Sequence, residues 1–140
     1  MPLTILSNNK KFSYKWLQFP KTCHEELDQQ HQILLDRMNA IKEKQSQETK
    51  LATLQLMLAK LQTLFMQHFE YEEQQMLARG YSLFSDHFEE HQKFLTGSWL
   101  TLTLDAQGHI HFNLDALIQW NLYHINHFDR PMAEYLLAHT

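Results

Sequence analysis

Leucine and phenylalanine recur along residues 51–65 in steps of three and four, at Leu51, Leu54, Leu58, Leu61 and Phe65. This is the spacing of one buried face of an α-helix. Continued at the same step, the stripe meets His68 and Glu72 instead of further apolar side chains. The other stripes share this oddity. Leu27, His31, Leu34, Met38 and Ile41 predict a helix from about Thr22, where T-C-H-E reads as a capping box. That stripe fades in the polar run KEKQSQETK, and the leucine-rich helix is expected from about Ser46 to Arg79, closed by Gly80 as a left-handed cap. A third helix opens near Ser82 with Phe84, His87, His91, Phe94 and Leu95 on its inner face. A fourth follows Asn113, a good N-cap, with Leu114, Leu117, Asn121, His124 and Phe128. Pro131 lacks an N–H and crowds the preceding turn, so it cannot continue that helix undisturbed; a short terminal helix is expected from Pro131 to Ala138.

Residues 97–112, GSWLTLTLDAQGHIHF, are ambiguous. Leu100, Leu102 and Leu104 alternate with threonines as in a strand, and DAQG suits a hairpin turn. An isolated two-stranded hairpin is marginal in water, which favours continuing the third helix to about residue 103. Short connections favour antiparallel neighbours, so the expected fold is all-α: an up-down-up-down antiparallel four-helix bundle with an N-terminal arm and a short C-terminal helix. In such a bundle His31, His68, Glu72, His87, His91 and His124 share one end of the core. Asp129, five residues beyond His124, joins them if the last turn unwinds or bends.

Composition changes this picture only slightly. With 140 residues, three glycines and three prolines, the chain suits one helical domain: an arm over 1–21, a bundle over 22–130 and a tail over 131–140. A net charge of −4 leaves no nucleic-acid footprint, and the basic group Lys10, Lys11, Lys15 and Lys21 reads as a solvated arm. One cysteine excludes an internal disulfide; Cys23 reads as a small residue in a helix's first turn. No apolar run approaches the length of a membrane span and no signal-peptide core precedes the arm, so a cytoplasmic location without membrane contact is expected. The compositional oddity is ten histidines.

Each piece of the cluster alone is weak evidence. An H-x-x-x-E pair is ordinarily a solvated pair on a helix face, and a single core histidine is ordinarily structural. Together they are harder to dismiss, because six polar groups at one level of a core would each cost about 1–3 kcal/mol if buried unpartnered. Neutral imidazoles and carboxylates all donate lone pairs to a cation. Seven donors exceed the four of a tetrahedral zinc site and suit two octahedral ions sharing carboxylates. Five neutral nitrogens against two carboxylates favour a less anionic site than glutamate-rich di-iron centres provide, hence the ferrous form and reversible chemistry with dioxygen.

The stretches ELDQQH, HFEYEEQQM, GYSLFSDHFEEH and WNLYHI-x3-D resemble the motifs of hemerythrins, in particular their single-domain bacterial form, over about residues 16–130. The resemblance implies two irons (Fe2+/Fe3+) with an oxo or hydroxo bridge. His87, His91 and His124 would hold one, His31 and His68 the other, and Glu72 and Asp129 would bridge them. It implies reversible dioxygen binding at the iron with fewer histidines, in a pocket walled by Leu34, Trp120 and Asn121. Trp16 and Tyr81 also match aromatic positions of that family. Asn121 stands where a leucine is usual, Ser82 where a proline is common, and Met132 where a tyrosine is often found. His24, His109, His111, His127 and His139 are expected at the surface or behind the ligands. The expected role is storage, delivery or sensing of dioxygen, without catalysis beyond weak peroxidase or oxidase activity. A sensor would require a separate redox or signalling partner. The alternatives are a di-iron enzyme acting on peroxide, nitric oxide or oxygen, and a bundle with a purely structural metal.

Overall fold

The computed structural model describes residues 15–47 and 49–140; Lys10 and Lys11 lie outside them. The chain is mostly helical. After a 3-10 turn at Trp16–Gln18 come α1 (Glu25–Gln45), α2 (Leu51–Ala78) and α3 (Phe84–Thr96). A small antiparallel pair, β1 (Thr103–Leu104) and β2 (Ile110–His111), precedes α4 (Leu114–His124). A π-helical segment, Ile125–Asp129, then joins α4 to α5 (Arg130–Ala138). α1 packs against α2 and α4, and α2 against α3 and α5. Among the described residues, no helix is long and apolar enough to cross a membrane.

The expected stripes are the buried faces. Leu27, His31, Leu34, Met38 and Ile41 are buried on α1, and Leu54, Leu58, Leu61, Phe65, His68 and Glu72 on α2. The apolar core forms two clusters. One gathers Leu34, Met38, Phe65, Phe69, Phe94, Leu117 and Ile125; the other gathers Leu27, Met76, Met132, Ala133 and Leu136. Between them each helix carries polar groups: His31 lies between Leu27 and Leu34, Glu72 between Phe69 and Met76, and Asp129 between Ile125 and Met132. The core is thus two apolar layers separated by a polar one.

Helix boundaries depart from expectation where side chains compete for backbone groups. The Thr22/Glu25 capping box does not form. His24 is the N-cap, its Nδ1 accepting from the Leu27 N–H at 3.4 Å. Thr22 instead donates to Asp28 Oδ1 through its N–H (2.9 Å) and its hydroxyl (2.8 Å), folding the entry segment over the first turn. Cys23 lies outside the helix, exposed and left-handed at φ 66. Lys21 is not a free arm residue: its ammonium donates to the carbonyls of Trp16 (2.6 Å) and Phe19 (2.9 Å) and lies 4.1 Å from the Trp16 ring centroid. Ser46 does not begin the second helix but caps the end of α1, its N–H donating to the Lys42 carbonyl.

The third helix does not continue to residue 103 but stops at Thr96, and 103–111 form the hairpin instead. Asp105 stabilises it beyond its two-residue strands. Its Oδ1 accepts from the N–H groups of Gln107 (2.9 Å) and His109 (2.8 Å), and its Oδ2 pairs with His111 Nε2 at 2.9 Å. The flanking Trp99 stacks on Phe94, so the connection is anchored to the core. Asn113 caps α4 as expected, accepting from the Ala116 N–H at 2.9 Å.

Pro131 leaves its mark upstream. It has no N–H for the His127 carbonyl, and its ring would crowd that carbonyl in a regular helix. The chain responds by widening the preceding turn, with the Arg130 N–H donating to the Ile125 carbonyl five residues back. Proline then sits in the first turn of α5, where a missing donor costs nothing. The Tyr135 hydroxyl, donating to the Arg79 carbonyl at 2.7 Å, ties α5 to the end of α2.

α2 ends in a left-handed glycine cap. The Tyr81 N–H donates to the Met76 carbonyl and the Gly80 N–H to the Leu77 carbonyl, with Gly80 at φ 67. A Cβ there would meet nothing within 4 Å, so the cost of Gly80→Ala is conformational. It is expected to lower unfolding stability by about 1 kcal/mol, read as a lower urea midpoint at unchanged slope.

Candidate metal centre

The polar layer draws its side chains from every long helix: His31 from α1, His68 and Glu72 from α2, His87 and His91 from α3, His124 from α4, and Asp129 from the π segment. All seven are at most 5% exposed. His68 and Glu72, like His87 and His91, meet because residues four apart are neighbours on a helix. Asp129 meets His124 across five residues because the π turn adds one residue to the turn between them.

The donors form two groups, each able to hold a metal ion. Glu72, His87, His91, His124 and Asp129 make one; His31, His68, Glu72 and Asp129 make the other. Glu72 Oε1 lies 3.0 Å from His91 Nε2 and 3.3 Å from His87 Nε2, while its Oε2 lies 3.0 Å from His68 Nε2. Asp129 divides itself in the same way. Its Oδ1 is 3.1 Å from both His87 Nε2 and His124 Nε2, and its Oδ2 is 3.0 Å from His31 Nε2. Each carboxylate therefore offers one oxygen to each group.

These separations resemble hydrogen bonds, but the directions mostly do not. Both Glu72 oxygens, Asp129 Oδ2 and the Nε2 atoms of His31, His91 and His124 have no hydrogen-bond partner. Buried atoms left this way would each cost about 1–3 kcal/mol. Donor atoms at right angles around one cation, with bonds near 2.1 Å, stand roughly 3 Å apart. Lone pairs aimed at a shared point, not at one another, reproduce both the distances and the missing hydrogen bonds. The residues present fit a metal centre.

Two imidazoles have their outer nitrogens fixed. His68 Nδ1 lies 2.7 Å from Gln30 Oε1, and His91 Nδ1 lies 2.7 Å from Glu73 Oε2. Both oxygens are acceptors, so Nδ1 carries the proton and the Nε2 lone pair faces the centre. The Gln30 amide is oriented by its own Nε2, which donates to Glu26 at 3.3 Å. Aromatic faces fix the ring planes: Phe69 stacks on His91 at 3.9 Å, and Trp120 on His124 at 4.8 Å.

Where protons are the only cations, the charges settle differently. Burial pushes His31 down, but the nearby Asp129 and Glu72 carboxylates outweigh it, raising its pKa to about 9. His87, under the same opposing influences, is raised to about 10. His91 is raised as well, burial being overcome by Glu72 and Glu73. His124 is lowered because burial dominates. Glu72 and Asp129 stay well below the usual carboxylate range: burial opposes their ionisation, but the imidazoles around them overcome it.

The structure brings together all seven donor residues expected from the sequence. Leu34 and Asn121 are buried, and Trp120 is half-buried against His124. Asn121, one turn before His124, has a buried Nδ2 with no hydrogen-bond partner. His109, His111, His127 and His139 are exposed, and His127 Nδ1 faces the Tyr123 carbonyl, away from the centre. Gln30 and Glu73 escaped the sequence reading. Their only signal was adjacency, Gln30 directly before His31 and Glu73 directly after Glu72.

His31 and His87 must lose their protons to bind a cation, so metal uptake is coupled to pH. Divalent-metal uptake at pH 7 is expected to release protons, measurable with an indicator dye, and affinity should climb between pH 6.5 and 9. Both pKa values are raised, so the stability they lend the metal-free fold is complete below about pH 6.5 and fades as pH passes 9 to 10. Thermal melts of the metal-free protein across that window should fall; a flat profile, or uptake without proton release, would contradict the assignment. In comparisons with known proteins, no family model, no curated protein and no solved structure matches this chain.

Proposed function

We propose that the chain is a hemerythrin-like, non-haem protein that binds dioxygen reversibly at two irons, for storage, delivery or sensing. The observation that carries this reading is the sharing of both carboxylates between two imidazole groups, three histidines on one side and two on the other. A fold reading accompanies it: an up-down-up-down antiparallel four-helix bundle. Its support is the order in which each helix visits the two apolar clusters. α1 runs from Leu27 to Leu34, α2 in the opposite sense from Phe69 to Met76, and the last helix again from Ile125 to Met132, as α2 does. α3 runs from Phe84, beside the second cluster, to Phe94 in the first, the same sense as α1.

His87, His91 and His124 would hold one iron and His31 and His68 the other, with Glu72 and Asp129 spanning both. Two irons bound there would supply the pair of electrons that dioxygen takes up and returns. The three-histidine group has five donors and the two-histidine group four, so the latter leaves more room for a small ligand. Leu34 and the apolar cluster around it would keep water from that ligand, and Trp120 holds the plane of His124. Five neutral nitrogens beside two carboxylates stabilise the reduced ions more than an all-carboxylate site does, which favours returning dioxygen over consuming it. The ligand is dioxygen, and a redox or signalling partner protein in the cytoplasm would complete a delivery or sensing role.

One observation favours a second reading, an enzyme acting on peroxide, nitric oxide or oxygen. The buried Asn121 amide, one turn before His124, is a hydrogen-bond donor without a partner. If it faced the bound ligand, such a donor would admit water or protons to it.

Metal analysis and optical spectroscopy test the proposal together. The protein should carry two irons per chain. Anaerobic reduction followed by oxygen should produce a charge-transfer band that vanishes under inert gas. His87→Ala should lose most of its iron, and full occupancy in that variant would contradict the assignment. Asn121→Leu should prolong the oxygenated form several-fold; an unchanged lifetime would dismiss a role for the amide. Sustained turnover of peroxide or nitric oxide with a reductant, and no reversible band, would favour the enzyme.

A further inference from the structure

Of the five imidazoles in the centre, His31, His87 and His124 have outer nitrogens with no hydrogen-bond partner. Only His68 and His91 are held from behind, one in each donor group, and at the same distance, 2.7 Å. The partners differ by one charge. His68 donates to the neutral amide oxygen of Gln30, 38 residues away on α1. His91 donates to the carboxylate of Glu73, which is only 18% exposed. A carboxylate drawing on the Nδ1 proton makes the whole ring a stronger donor at Nε2, and a charge-assisted bond is about twice as strong as a neutral one. The two groups therefore differ in donor number, five against four, and in the electron density delivered by one ring of each.

We propose that Glu73 and Gln30 are positioning residues that make the two halves of the centre unequal, through His91 and His68 respectively. The half containing His87, His91 and His124 binds the first cation and best stabilises the higher oxidation state. The half containing His31 and His68 binds the second cation more weakly and stays closer to its reduced form. Neither residue touches a cation; each acts by fixing a tautomer and setting the basicity of one ring. This inference rests on the metal-centre reading but not on dioxygen chemistry.

Cobalt(II) titration of the full-length, metal-free chain, followed by visible absorption, separates the possibilities. The native protein should take up two equivalents in two resolved steps. Glu73→Gln keeps an oxygen that can accept from His91 Nδ1 and removes only the charge. It should weaken the tighter step by about 10–100-fold and leave the weaker one unchanged. Gln30→Glu should strengthen the weaker step and close the gap between them. Circular dichroism of each metal-free variant guards against a loss of folding. In the iron-loaded protein, Glu73→Gln should raise the potential of one iron, a shift that a purely packing role would not produce. An unchanged Glu73→Gln, equal weakening of both steps, or a single two-equivalent step in the native chain would overturn the proposal. Two unequal cobalt steps that respond as stated, in a protein whose iron form shows no reversible oxygen band, would uphold it while defeating the oxygen-binding reading. No cobalt uptake by the native chain would defeat both.

Discussion

The rest of the structure depends on how two carboxylates are divided. Glu72 and Asp129 each point one oxygen at the three-histidine group and the other at the two-histidine group. Neither is exposed at all. A carboxylate buried in an apolar core is sustained only by cations or by donors directed at it. Here the nearby nitrogens stand at suitable distances with mostly unsuitable directions. That mismatch would be costly in a purely structural network, and it is what shared coordination requires. Two apolar clusters, above and below, close the layer off from water and keep its geometry from relaxing.

Bringing Asp129 into that layer required an irregular helix. In a regular α-helix, five residues of advance carry a side chain well over a full turn past its starting face. The π segment absorbs the excess, so His124 and Asp129 both face the centre. Pro131 gives the segment its local cause, since it disfavours a regular turn through residues 127–131 and is well placed in the first turn of α5. α5 then buries Met132, Ala133 and Leu136 against Leu27 and Met76, which holds the widened turn in place. The same proline that disrupts a helix by local rules brings Asp129 into the donor cluster.

What the sequence made legible followed from periodicity. The stripes of α1 and α2 ran through His31, His68 and Glu72 without a break, so their burial could be anticipated from Leu27, Leu34 and Leu61 alone. Asn113 and Gly80 marked two helix ends because capping is local chemistry. What stayed hidden depended on competition or on tertiary distance. Asp28 outcompeted Glu25 for Thr22, and Asp105 stabilised a hairpin that its two-residue strands alone would not sustain. Gln30 and Glu73 join residues 38 and 18 positions apart, and no helical spacing reports such a pair. Asp129 lay between these cases: the spacing showed it off the face, and Pro131 showed why the face could shift.

Charge explains why Glu73 stands where it does. Under the di-iron reading, two divalent ions would bring four positive charges into a dry interior, against two negative ones from Glu72 and Asp129 and one from a hydroxo bridge. The remainder would be expensive with no further compensation, because an apolar medium screens poorly. Additional carboxylate ligands would neutralise it, but they would also stabilise the oxidised ions and weaken the hold on returnable electrons. A carboxylate behind a histidine offers an intermediate solution: Glu73 lies one ring away, accepts the His91 proton at 2.7 Å, and keeps part of its own surface in water. In the proposed centre it would lower the electrostatic cost of the three-histidine half without entering the coordination shell. Gln30 provides the same alignment to His68 with no charge, which in the proposed centre would leave the two-histidine side the more electron-poor.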